Sequence, residues 1–392
     1  MTAAAPGRPR QGTALSEGSA VREATSVGAN ILIVKLSSLG DVVHAMPAVQ
    51  DIRRAMPGAR IDWVVEPGFA PLVQRCEGVR RVIGCNLRQW RKAPLSGATR
   101  QAWALFKAQL QAEAYDAVID LQGLTKSALV SRLARLAPGG KRYALANRTD
   151  GSSYEAPTRW VADVAVPVTQ HSHAVTRSRE LCSKALGYAL CVDAENLGYF
   201  GLQALAKSGG VAIKNGVNGA HAHAVVALVH GTSRADKEWP QADWVALAQR
   251  LLHAGQGVAL MHGNDAELAR SQRIAEAVRA ATSPDAAIQV WPRLSLDALT
   301  DQLAQTAGVI GVDSGLSHIA VALDLPHVQL YNFDTAWRTG PQAVSAASAS
   351  AGAQGAPRAL RQCSVFATPY PSLAQVWQAW EHVSATVAGH AA

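Results

Sequence analysis

The chain has 392 residues, 48% of them hydrophobic and 17% charged, and a formal net charge of +8. This is a globular composition with enough apolar material for a sizeable core, and the length favours two domains. The positive excess points to an anionic partner such as nucleic acid, an anionic membrane surface or a phosphorylated substrate. Five cysteines with no CxxC spacing argue against a disulfide framework or a zinc site and fit a reducing compartment.

Residues 1–29 are rich in Ala, Gly, Ser, Thr and Arg. They lack the apolar stretch of a signal peptide and read as a disordered tail. Residues 31–34 (ILIV) then form a short apolar run that predicts a buried strand. Strands at 61–65, 81–85 and 117–120 alternate with helices at 42–55, 102–114 and 124–136. That alternation predicts a parallel sheet covered on both faces. An irregular stretch, 144–168, precedes a helix at 173–186.

The polar, glycine-bearing residues 208–222 read as an interdomain linker. A second α/β series follows, with strands at 225–229, 257–261, 288–291, 309–312 and 327–330. Helices fill 242–253, 266–281, 296–304 and 316–323. Residues 343–357 read as a flexible surface loop, and a last helix covers 372–388. The domains expected are therefore 30–207 and 223–371, with 372–392 as a C-terminal helical segment. Two Rossmann-like halves describe an enzyme that binds its ligands in the cleft between them.

Several turns at strand ends carry chemistry. In KLSSLGD (35–41), Asp41 falls at the carboxyl end of the first strand, where open parallel sheets bind ligands. N-capping alone would also account for an Asp there. In HGTSRADKEWP (230–240), Thr232, Ser233 and Lys237 offer hydroxyls and a point charge to a phosphate. A solvated loop ahead of a Pro-started helix is the plainer account. In GVDSGLSH (311–318), the strand ends into a helix whose first turn, Ser314 and Gly315, makes an anion site. Asp313 there faces the cleft or caps the helix, and His318 suits a core position on the buried helix face. Glu267 opens the helix after the second strand of this half, a position that suits ribose binding or simply the helix dipole.

Arg88, Arg91 and Lys92 form a basic cluster around Trp90, and Lys126 follows DLQGLT. These residues could bind an anionic acceptor or lie solvated. No RNA-binding signature is present and few aromatics are available for base stacking, so nucleic acid is disfavoured. No GxGxxG follows the first strand, and there is neither a Walker A sequence nor a DxD pair to hold a metal against a diphosphate.

KLSSLGDVVHAMPA (35–48), DLQGLTKSALVSRLA (120–134), HGTSRADKEWP (230–240) and GVDSGLSHIAVALDLP (311–326) together resemble the lipopolysaccharide heptosyltransferases. The resemblance covers about residues 30–330 and is specific as an ordered set. It implies an α/β architecture of the GT-B fold, two Rossmann-like domains facing each other across a central cleft. It implies inverting, metal-independent transfer of L-glycero-D-manno-heptose from ADP-heptose to Kdo of Kdo-lipid A, with no cofactor.

By similarity, Asp41 is the general base and Lys237 assists catalysis. Thr232, Ser233, Lys237, Glu267, Asp313, Ser314, Gly315 and His318 bind the donor, with Leu294 near the adenine. Arg88, Arg91, Lys92, Lys126 and, more loosely, Arg148 bind the acceptor. The cellular place implied is the cytoplasmic face of the inner membrane, as a peripheral protein. Transfer to a heptose already on the core, a sugar-nucleotide epimerase of the same fold, and a non-catalytic nucleotide-sugar-binding protein are the alternatives.

Overall fold

The computed structural model describes residues 28–190, 199–204, 212–214, 222–342 and 361–388. The tail 1–27 and the loop at 343–357 lie outside the described residues, as does most of the stretch read as a linker.

The first sheet contains β1 (Asn30–Val34), β2 (Arg60–Val65), β3 (Val79–Gly84), β4 (Tyr115–Asp120), β5 (Leu136–Leu145) and β6 (Val164–Val166). Its order is β3-β2-β1-β4-β5-β6, and all its pairings are parallel. The second sheet contains β7 (Ala212–Lys214), β8 (Ala222–Val229), β9 (Gly257–Leu260), β10 (Ile288–Val290), β11 (Gly308–Val312), β12 (His327–Tyr331) and β13 (Gln362–Phe366). Its parallel order, β10-β9-β8-β11-β12-β13, repeats that of the first sheet, and β7 adds antiparallel to the start of β8.

Side chains alternate across a strand, and both faces of these sheets are covered. Ile31 and Ile33 of β1 pack into one core, while Leu32 and Val34 pack with Phe106, Leu110 and Val130 on the other face. In β8, Val225, Ala227 and Val229 join the same core as Ile31 and Ile33. One apolar core therefore runs from the first sheet to the second. It passes through helix Leu39–Ala55, which packs on helices Ala174–Leu186 and Gly315–Ala322. A buried Arg179–Asp51 pair, 2.6 Å from Nε to Oδ2, ties two of these helices together.

Three expectations need correction. The helix expected over 124–136 ends at Leu133, and β5 begins at Leu136. Pro138-Gly139-Gly140 interrupt any strand periodicity, because β5 carries a register shift there against β4. A Cβ on Gly140 would meet the Tyr115 carbonyl oxygen at 2.4 Å, so the close approach requires glycine. The stretch 144–168 is not irregular throughout, since it contains helix Pro157–Val161 and β6. Within the expected linker, residues 212–214 are a strand and β8 already begins at Ala222. The sequence reading also missed β13, which follows an Ala/Ser/Gly-rich stretch; helix Leu373–Ala388 packs on β12 and β13.

Candidate active site

In a sheet ordered 3-2-1-4-5-6, the crevice opens beyond the carboxyl ends of strands 1 and 4, where the connections diverge. Both sheets have this order, and their crevices face each other. The turns after β1 and β4 meet those after β8 and β11 around a cavity of about 320 Å³.

Asp41 enters from the first turn of helix Leu39–Ala55. Its Oδ2 accepts hydrogen bonds from the Ser38 amide (3.2 Å) and hydroxyl (2.9 Å). Its Oδ1 faces Lys35 Nζ at 3.6 Å and Arg177 at 4.0 Å. The N-cap is Ser38, not Asp41: Asp41 sits at the third position of the helix, where Oδ2 closes a capping box with Ser38 while Oδ1 faces the cavity cations. Burial works against the charge on Asp41, but Lys35, the Ser38 hydrogen bonds and Arg177 outweigh it and hold the carboxyl below its ordinary range. Lys35 is itself 2% exposed, donates to the Leu121 carbonyl and has its pKa lowered by burial.

The turn after β4 supports this side. Gln122 Oε1 accepts from the amides of Leu36 and Ser37, which fixes the loop after β1. Lys126 donates to the Ser37 hydroxyl at 2.9 Å. Asp120, 1% exposed, accepts from the amides of Gln122 and Gly123 and the Ser127 hydroxyl, yet burial raises its pKa to about 6.

Opposite lies Asp313, at the end of β11. Its Oδ2 is 2.5 Å from Lys237 Nζ, and its Oδ1 is 3.4 Å from His318 Nε2. Burial opposes the charge on Asp313, but His318 and Lys237 hold its pKa far below the usual range. Ser314 and Gly315 start helix Gly315–Ala322 at the cavity wall, and Ser233 lines the same space. Thr232 donates to the Asp313 carbonyl at 3.4 Å. His318 packs at a tilt against His44, with ring centroids 4.3 Å apart, so it is buried in the core and also borders the cavity.

Thr232 and Glu267 line a second cavity, beside Gly231 and Asn264. Glu267 accepts from the Gly263 amide, and a Cβ on Gly231 would come within 2.9 Å of its carboxyl carbon. Leu294 lines neither cavity and packs on the interdomain core.

The basic residues other than Lys126 lie away from both cavities. Arg88, Arg91, Lys92 and Arg148 are exposed and line neither cavity. Trp90 is held against Trp103 and Phe106, which leaves the flanking cations in solvent. Arg88 and Lys126 share Glu66, at 3.9 and 3.5 Å, and of the five only Lys126 reaches the cavity, through Ser37.

The sequence reading missed Lys35, His44, Arg177 and Arg338, all of which line the cavity. Arg177 carried a usable signal: it lies three residues after Ala174 and four before Leu181, on the buried face of its helix. Arg338 carried none.

The cavity walls present four cations, Lys35, Arg177, Lys237 and Arg338, against two carboxylates, Asp41 and Asp313. The surplus suits an anionic ligand. Among the described residues, no group of three or more His, Cys, Asp or Glu is placed to hold a metal ion.

The family model of glycosyltransferase family 9 (heptosyltransferase) matches residues 103–367. Lipopolysaccharide heptosyltransferase 1 of Escherichia coli (strain K12) is 38% identical over 302 residues, 77% of this chain and 87% of that protein. The solved structure of Escherichia coli heptosyltransferase WaaC with ADP superposes with a TM-score of 0.72 at 30% identity, covering 91% of this chain and 99% of that one. Its complex with ADP-2-deoxy-2-fluoro heptose gives a TM-score of 0.67, covering 92% and 98%.

Proposed function

The chain belongs to glycosyltransferase family 9, the heptosyltransferases, and on that premise we propose that it moves heptose from ADP-heptose to the Kdo of Kdo-lipid A, adding the first heptose of the lipopolysaccharide core. The observation that carries the reading is the facing of Asp41 and the Lys237–Asp313 pair across one cation-rich cavity at both switch points.

The reaction is a single in-line displacement that inverts the anomeric carbon. Asp41 takes the proton from the attacking acceptor hydroxyl as the new C–O bond forms, and the bond from the anomeric carbon to the phosphate oxygen breaks. The electron pair leaves with ADP. Lys237, the Thr232–Ser233 loop and the N-terminus of helix Gly315–Ala322 meet the growing negative charge, so no metal is needed for that role. On this reading the ribose lies at the second cavity, which Thr232 and Glu267 line. Asp313 holds Lys237 in place until the donor arrives.

No helix among the described residues is long and apolar enough to cross a membrane. The enzyme reaches its lipid acceptor as a peripheral protein on the cytoplasmic face of the inner membrane. The +8 charge and the exposed Arg88, Arg91 and Lys92 support this placement. Co-sedimentation with vesicles should rise with their anionic lipid content; indifference to that content would remove the electrostatic part.

The deciding experiment follows ADP release from ADP-heptose with and without Kdo-lipid A, with mass analysis of the lipid. Acceptor-dependent release and one added heptose are expected. Release only with an already heptosylated lipid would move the assignment to the second heptose. ADP-heptose conversion without any acceptor would point to epimerisation, and silence in every case to a binding role.

A further inference from the structure

Arg177 and Arg338 come from opposite halves of the molecule, yet both are held by one turn. Arg177, on helix Ala174–Leu186, is 7% exposed and donates to Thr149 Oγ1 at 2.9 Å. Arg338, on the short helix Ala336–Thr339 after β12, donates to the Gly151 carbonyl at 2.7 Å. Gly151 has φ +66, and a Cβ there would lie 1.9 Å from the Arg338 guanidinium. The turn therefore needs glycine both for its backbone and for this contact. It is fixed to the first half by the Asp150 amide on the Gln170 carbonyl and by Asp150 on His171.

The neighbouring residues make the crossing firm. Trp337 stacks on His171 at 3.8 Å, and the Gly340 carbonyl lies 2.9 Å from His173 Nε2. These contacts bring a second-half guanidinium to the first-half side of the cavity that Asp41 also lines. Two guanidiniums facing one space repel each other unless an anion lies between them. Asp41 Oδ1, 4.0 Å from Arg177, is the near carboxylate, and it is already shared with Lys35.

We propose that Arg177 and Arg338 form a carboxylate clamp for the acceptor sugar, built across the two halves on the turn 149–153. The inference rests on the reading of Kdo, a sugar carboxylic acid, as acceptor. The donor diphosphate is the other possible anion, but Lys237, Ser233 and the helix N-terminus serve it on the opposite wall. A carboxylate gripped by a guanidinium fork is oriented as well as bound, which sets the acceptor hydroxyl against Asp41. Because one arm of the fork belongs to each half, the grip is complete only when the two halves are together.

The test measures binding, in the presence of ADP, of deacylated Kdo-lipid A and of the same compound with the Kdo carboxylate converted to a carboxamide. The wild-type protein should prefer the carboxylate by about 10- to 100-fold. Arg338→Ala should bring the two compounds to within about twofold of each other while the ADP dissociation constant stays unchanged, since it removes one charged hydrogen-bonding arm. Arg338→Lys should recover part of the preference, because the charge returns without the fork. Loss of a merely structural strap would weaken both compounds alike and leave their ratio intact, which would overturn the proposal. So would a fall in ADP affinity with the ratio unchanged, which would give the clamp to the diphosphate. If the preference follows this pattern but no heptose reaches Kdo-lipid A, the functional reading fails and the carboxylate site stands.

Discussion

His318 of the second half lies against the backbone of Gly40 in the first: a Cβ on Gly40 would sit 2.5 Å from its Cδ2 and 3.1 Å from its Nε2. Gly315 mirrors this, since a Cβ there would meet Leu39 Cδ2 at 2.7 Å. The two helix N-termini that carry Asp41 and Ser314 touch through glycine on each side.

Gly40→Ala tests that contact. Alanine favours the helix by about 1 kcal/mol, whereas the added methyl overpacks the site at about 1–3 kcal/mol. His318 has little room to yield, being boxed by His44 and Asp313. The expected result is a fall in kcat/KM of about 100-fold, from misplacement of the two catalytic turns, with both halves still folded by circular dichroism. A near wild-type rate would show that the interface absorbs a methyl.

Asp41→Asn should lower kcat by about 10²–10⁴-fold, the usual worth of a general base, and leave ADP affinity nearly unchanged. Single-turnover transfer alongside calorimetric ADP titration reads both. Survival of transfer would place the base elsewhere.

Lys35→Met isolates the electrostatic support of that base. Lys35 draws the Asp41 pKa down, so its removal lets that pKa rise. The acid limb of the kcat/KM profile should therefore move to higher pH, with donor affinity retained. An unmoved limb would show that the rate does not depend on ionised Asp41.

Lys237→Ala removes the cation on the donor wall and leaves Asp313, 6% exposed, with His318 as its remaining close partner. ADP binding should weaken by about 10- to 100-fold, the scale of one charged hydrogen bond. Equal ADP affinity would take Lys237 out of the donor site.

Stability should fall as the pH drops from about 6.5 towards 4, the span between ordinary and buried imidazoles. Burial depresses the pKa of His173, His230 and His327 to about 4, and that of His44 well below its ordinary value. These groups bind protons more readily unfolded, so their contribution is complete above pH 6.5 and is lost on acidification. Asp120, raised to about 6, works the other way in the same window, because its folded form holds a proton longer. Burial also raises the Asp243 carboxyl, and four imidazoles against these two carboxyls give a net loss in acid. Urea midpoints at pH 7 and 4.5 measure it; a higher midpoint at pH 4.5 would reverse the sign.

Sequence alone determined the alternation of apolar runs and amphipathic helices, and with it the parallel sheets. It also placed Asp41, Ser233, Lys237, Asp313, Ser314, Gly315 and His318 at strand ends, because these positions follow from local periodicity and short turn motifs. It failed at β5, where Pro138-Gly139-Gly140 break the pattern. Only the tertiary structure decided what surrounds Asp41. Lys35 and Arg177 are separated by 142 positions yet converge on one carboxylate oxygen, and Arg338 arrives from the other half by crossing to Gly151. No local pattern encodes such meetings, because they depend on how two sheets of the same order pack their switch points face to face.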